Sequence, residues 1–118
     1  MTSRDTPWGA EETVLNTAMP LSDGTGSLLI RRMHIDNEGM TPVERHREAN
    51  VIIYVEDGVI DLQVNDDFYE LEEGEAHYIE AGEQHQVENL DAAVTDVLQI
   101  VFPFDPDDRE IIEDPYAQ

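Results

Sequence analysis

The sequence predicts an all-β fold, a single domain built as a small barrel. Three observations lead to that expectation. Short β-branched and apolar runs recur roughly every eight to twelve residues, separated by Gly and Asp turns, which is the spacing of a sandwich or barrel. No segment of about ten residues has the periodicity of a helix. The stretch GEAHYIEAGEQHQVEN, residues 74–89, reads as a glycine-turned hairpin, a tight turn at Gly82 and a strand bearing His85, with Asn89 closing the unit. Glycines fixing two turns around one histidine aim an imidazole into the mouth of a small barrel.

The elements follow in order. Residues 1–26 read as an arm, loop-like apart from Glu12–Leu15, with a plain turn over Ser22–Gly26. Residues 27–102 read as the barrel. Its first strand is Ser27–Asp36, and the continuous apolar run Val51–Val55 follows, ended by a turn at Glu56-Asp57-Gly58. Val59–Val64 alternates, Asn65-Asp66-Asp67 turns it, and Phe68–Leu71 returns to a turn at Gly74. Ala76–Ile79 is a short strand, and Val94–Phe102 is the last long one before Pro103 and Pro106 stop it. Residues 103–118 read as an acidic tail with at most a short turn. Trp8 reads as a packing residue.

Length and charge narrow the function. A chain of 118 residues with 40% hydrophobic content can bury one core. The net charge is -22, from 28 acidic residues against six basic ones, all arginine. The absence of lysine points to a salt-saturated cytoplasm, where screening removes most carboxylate self-repulsion. Nucleic acid and anionic membranes are poor partners at this charge. Without cysteine there is no disulfide or thiolate metal site. No apolar run has membrane-spanning length or a signal-peptide core, so a cytoplasmic protein is expected. Exposed sheet edges and terminal arms predict a homodimer, paired through a sheet or an exchanged N-terminal segment.

The spacing G-x7-G-x2-H-x3-N from Gly74 to Asn89 resembles the second signature of the cupin barrels, with Glu80 where most members have proline. The resemblance implies a double-stranded β-helix, or jelly-roll, barrel. A first signature should precede Gly58. Counting back places its two histidine positions at Glu44 and His46 and its glutamate at Val51. Glu44 and His46 lie two apart, so on a strand they share a face. The resemblance sets His85 opposite them, so Glu44, His46 and His85 are the expected metal ligands. Two imidazoles and a carboxylate suit Fe(II) and also accommodate Mn, Ni, Co or Zn. Glu48, on the same face if the strand extends, is the expected proton carrier. Arg32 and His34, sharing one face of the strand leading into the site, are the expected substrate contacts, Arg32 as an anion clamp. His77 can point either way. The competing reading keeps His46 and His85 as hydrogen-bonded interior residues with no metal.

The ends fit a narrower branch. Pro7-Trp8-Gly9 opens the chain, and Asp107, Asp108, Glu113, Asp114 and Tyr116 punctuate its tail. This order resembles the C-terminal isomerase domain of bifunctional mannose-6-phosphate isomerase/mannose-1-phosphate guanylyltransferase enzymes. The family's Q-x-H-x4-E element falls on Glu44, His46 and Val51, its tail arginines on Ile111 and Gln118, and its tail glycine on Ala117. The resemblance implies a metal-binding cupin for a small molecule such as a sugar phosphate. Val51 in place of the acid predicts weak or lost isomerase turnover. The alternative is a non-catalytic barrel that binds a small ligand or partner protein without metal.

Overall fold

The interior is written by alternation. In the strand Val59–Val64 every second side chain is buried, and the same holds in Gln84–Asn89 and Thr95–Phe102. Facing apolar rows, including Ile35, Ile53, Val55, Ile60, Leu62, Val87, Val97 and Val101, close over one another as the core. Burial of such rows is the main stabilising term in a chain of this size. The structure, a computed structural model, describes residues 2–21 and 24–117.

Among the described residues eleven strands run in chain order as β1 (Thr2–Thr6), β2 (Gly9–Leu21), β3 (Gly24–Ile35), β4 (Val43–His46), β5 (Asn50–Asp57), β6 (Val59–Val64), β7 (Asp67–Glu72), β8 (Ala76–Ile79), β9 (Gln84–Asn89), β10 (Thr95–Phe102) and β11 (Arg109–Glu113). They form two antiparallel sheets. A six-stranded sheet has the order β1-β2-β3-β10-β5-β8, and a five-stranded sheet the order β11-β4-β9-β6-β7. Strands consecutive in sequence, such as β3 and β4 or β5 and β6, fall in different sheets, as the expected jelly roll requires.

Both signature turns hold by backbone chemistry. Gly58 sits at φ 103°, and a Cβ there would meet the Thr95 hydroxyl at 2.3 Å. Gly82, at φ 90°, donates its N–H to the carbonyl of His46 at 2.7 Å, which ties the second signature to the end of β4. Asn89 is structural. Its Nδ2 donates to the carbonyls of Ile35, Asp36 and Ala93, and its Oδ1 accepts from Asp91 N and Thr95 Oγ1.

The ends differ from the expectation. The arm is strand: β2 pairs with β3 from Gly9↔Ile35 to Leu21↔Gly24, with a bulge between Thr13 and Leu15. The partner satisfies its backbone, so β2 needs no apolar alternation of its own. Of the turn expected over Ser22–Gly26, Ser22 and Asp23 lie outside the described residues. The tail is ordered too. A 3-10 turn, Pro106–Asp108, leads into β11, which pairs with β4 through Arg109↔His46 and Ile111↔Glu44. That pairing places the tail over the site.

Candidate metal centre

β4 delivers Glu44 and His46 to the interior two residues apart, and β9 delivers His85 directly across from Glu44. Glu44 Oε1 lies 3.3 Å from His85 Nε2 and 4.0 Å from His46 Nε2. The two rings are 12° from parallel, with centroids 6.0 Å apart. One donor atom from each residue falls within 4.8 Å of the other two. All three residues are buried.

The imidazoles are chemically unspent. Among the described residues neither nitrogen of His46 nor Nδ1 of His85 has a hydrogen-bond partner, and His85 Nε2 faces only the Glu44 carboxylate, at 3.3 Å. Burying polar nitrogens without partners is costly, and folds rarely retain them without a use. Burial pushes the His46 imidazole below its ordinary value; Glu44 pulls the other way, and His85 adds to the depression. The neutral ring, which is the ligating form, is thereby favoured.

Glu44 is held from behind. Arg109 Nε, from β11, donates to Oε2 at 2.5 Å, and Gln99 Nε2, from β10, donates to Oε1 at 3.1 Å. Burial works against the charged carboxylate. The His85 imidazole and the Arg109 guanidinium outweigh it and keep the group well below the usual carboxylate range. A void of about 10 Å³ beside Glu44 and His85 is also lined by Gln99 and Arg109. That space is on the order of one water molecule. A His46 imidazole whose neutral form is favoured, and the His85 imidazole beside it, converge on an ionised and oriented carboxylate, a donor set that fits a divalent cation.

The structure brings together the three expected ligands but not the residues expected beside them. Arg32 and His34 do share a face, and it is the outer one. Arg32 donates to Glu56 Oε1 at 2.7 Å and Glu12 Oε1 at 2.8 Å, and His34 Nδ1 lies 2.6 Å from Asp96 Oδ1. The reason is parity: Leu29, Met33 and Ile35 are buried, so Arg31 and not Arg32 follows the inward face of β3. Glu48 also lies away from the cluster. β4 ends at His46, and the N–H groups of Arg47, Glu48 and Ala49 turn to bind the Asp108 carboxylate. Glu48 is left exposed. His77 packs against Tyr69, with ring centroids 4.3 Å apart and planes tilted by 32°. Val51 is 1% exposed, in register with Val101 and Ile79, and makes a dry wall. Sequence reasoning missed Arg109, Gln99, Arg31 and Glu11. The signal available was a polar residue at an apolar parity, Gln99 between Val97 and Val101 and Arg31 between Leu29 and Met33.

A double-stranded β-helix with a buried Glu/His/His cluster in its interior defines the class. The chain belongs to the cupin family, whose Cupin domain matches residues 31–101. KdgF from Halomonas sp. superposes with a TM-score of 0.73 at 17% identity, over 91% of this chain and 90% of that one. An uncharacterised double-stranded β-helix protein from Klebsiella pneumoniae gives 0.73 at 14% identity, over 87% and 83%. Oxalate decarboxylase from Bacillus subtilis gives 0.75 at 16% identity, over 94% of this chain but 30% of that protein. At these identities the likeness is one of fold. No curated protein matches the chain by sequence.

Proposed function

We propose that this protein is a metal-binding cupin for a small molecule, with Glu44, His46 and His85 holding a divalent cation. The observation behind it is the set of four buried ring nitrogens around an ionised Glu44, which engage no protein group other than that carboxylate. Arg109 and Gln99 orient the Glu44 carboxylate, and burial favours the neutral form of the His46 imidazole. Zn, Mn, Fe, Ni and Co are all compatible with the donor set. A cation there would act as a Lewis acid toward a carbonyl or enediolate oxygen.

Within this reading the ligand is of the sugar-phosphate type, and the activity is isomerase-like and weak. Val51 cannot ligate or move a proton, and Glu48 lies outside the cluster. A second reading, a metal-free binding barrel, is favoured by one observation: Arg109 already neutralises Glu44. Elemental analysis of protein purified in high salt, without chelator or affinity-tag metal, separates the two. About one equivalent of metal supports the first reading, and a metal-free, fully folded protein that takes up none on addition overturns it.

The surroundings belong to the same proposal. The protein works in a salt-rich cytoplasm as a homodimer and engages neither nucleic acid nor membrane. No helix among the described residues is long and apolar enough to cross a membrane. A melting temperature that falls steeply below roughly 0.5 M KCl is expected, since screening weakens as salt is withdrawn. Light scattering in molar salt checks the dimer.

A further inference from the structure

In a protein of charge -22, three of the six arginines line one cleft. Arg4 on β1, Arg31 on β3 and Arg109 on β11 converge there with a single lining carboxylate, Glu11. The cleft has a volume of about 410 Å³, within the range of roughly 300–1,000 Å³ for small-molecule sites. Leu29 and Phe104 give it an apolar wall, and Thr13 and Asn16 add polar groups.

The arginines here are less engaged than Arg32 and no more engaged than Arg45 and Arg47. Arg32 engages two carboxylates, and Arg45 and Arg47 both bind Glu110. In the cleft, Arg4 and Arg31 share Glu11, Arg4 Nε at 2.6 Å and Arg31 Nη1 at 3.1 Å. Arg109 turns only its Nε to Glu44. A guanidinium carries five N–H donors in a planar fork suited to carboxylate or phosphate. Most of that capacity remains uncommitted among the described residues. The cleft also shares a wall with the metal centre: Glu11, Arg31 and Arg109 line the void beside Glu44 and His85 as well.

We infer that this cleft binds a small organic anion, its carboxylate or phosphate held by Arg31 and Arg109 with Arg4 at the mouth. The assignment names the ligand class of the proposed small-molecule site and, for the cleft's role as that site, rests on that reading. Glu11 is the internal stand-in for the anion: it keeps the arginines aligned in the ligand's absence and competes with it. Local concentration of cations is what a field of this sign demands of an anion site, because the rest of the surface repels the ligand.

The test is titration calorimetry of the full chain at constant ionic strength, once with chelator and once with added Zn²⁺. The probes are inorganic phosphate, mannose 6-phosphate and malonate. Saturable binding at about one per chain is expected. Binding of malonate alone assigns a carboxylate ligand, and binding of the phosphates alone assigns a phosphate ester. Arg4→Gln, at a side chain 68% exposed and outside the core, should weaken binding about tenfold, the worth of one charge-assisted hydrogen bond. Glu11→Gln should tighten it by about threefold or more, an effect that a purely structural ion pair would not produce. Arg32→Gln, on the outer face, should change nothing. No saturation with any probe, or equal affinity in the Arg4 and Glu11 variants, overturns the inference. Anion binding in chelator by a chain that loads no metal supports it while overturning the metal reading; metal loading without anion binding does the reverse.

Discussion

Two clusters built from the same residue types sit on opposite sides of the six-stranded sheet, and they have different fates. On the outer face Arg32, His34, Glu12, Glu56 and Asp96 satisfy one another at partly exposed positions. In the interior Glu44, His46, His85, Gln99 and Arg109 are joined by ion pair and hydrogen bond, yet the imidazole nitrogens face no protein group but the Glu44 carboxylate. Residue type does not separate the two. Burial and unspent hydrogen-bonding capacity do, and these are what a metal or substrate can use.

The largest contrast concerns metal content. His46→Ala or His85→Ala should reduce bound metal from about one per chain to background, because three protein ligands leave little redundancy. His34→Ala should leave the metal content intact. Metal analysis after dialysis reads both, and loss of metal in the His34 variant would erase the distinction between the faces.

Next in size is stability. Arg109→Leu removes the partner of a buried carboxylate and should cost on the order of 3–5 kcal/mol in denaturant unfolding. Arg32→Leu removes a partly exposed ion-pair partner, for which about 0–1 kcal/mol per pair is expected. Added Zn²⁺ should restore part of the loss only in the Arg109 variant, since a cation can replace the guanidinium beside Glu44. Equal costs in the two variants would mean that the interior is as wet as the surface.

A smaller effect separates the clusters by pH. The folded His46 binds a proton less readily than the unfolded chain, whose value is near 6.5. Its contribution to stability is therefore complete above that pH and declines as pH falls through it toward the lower folded value. Glu44 is depressed from 4.5, so its contribution is complete above about that pH and declines in more acid solution. The stability of the metal-free chain should thus fall in two stages as pH is lowered, and His46→Gln should remove the first. A stability curve flat from pH 7 to 5 in the unmodified protein would contradict the burial of a neutral imidazole.

How much of this was readable beforehand follows the same division. Glu44 and His46 were legible because a spacing of two fixes a shared face, and His85 because two glycines and Asn89 fix its strand. Val51 was legible as a lost acid. The face of Arg32 was not, since Arg31 and Arg32 are adjacent and only the burial of Leu29 and Met33 decides between them. Arg109 and Gln99 were hidden for another reason. They reach Glu44 across 65 and 55 positions of sequence, through strand pairings that no local pattern encodes. The strand character of the arm was hidden in the same way, because β3 supplies its hydrogen bonds.

The smallest expected difference is in salt dependence, and it tests the comparison most directly. The Debye length falls from about 10 Å at 0.1 M salt to about 3 Å at 1 M, and exposed pairs feel this far more than buried ones. Arg32 and Glu56 keep side-chain exposures of 28% and 29%; Arg109 keeps 30%, but its partner Glu44 keeps only 9%. A double-mutant cycle on Arg32 and Glu56 should therefore give a coupling of a few tenths of a kcal/mol that shrinks between 0.1 and 1 M KCl. The Arg109–Glu44 coupling should be larger and change little over the same range. Removing the carboxylate as Glu44→Gln keeps the volume and the hydrogen bond to Gln99 or Arg109 in reach, so the cycle reports charge and not packing. If the Arg109–Glu44 coupling also disappears in molar salt, the carboxylate is solvated. The orientation that would let it meet a cation alongside His46 and His85 would then be lost with it.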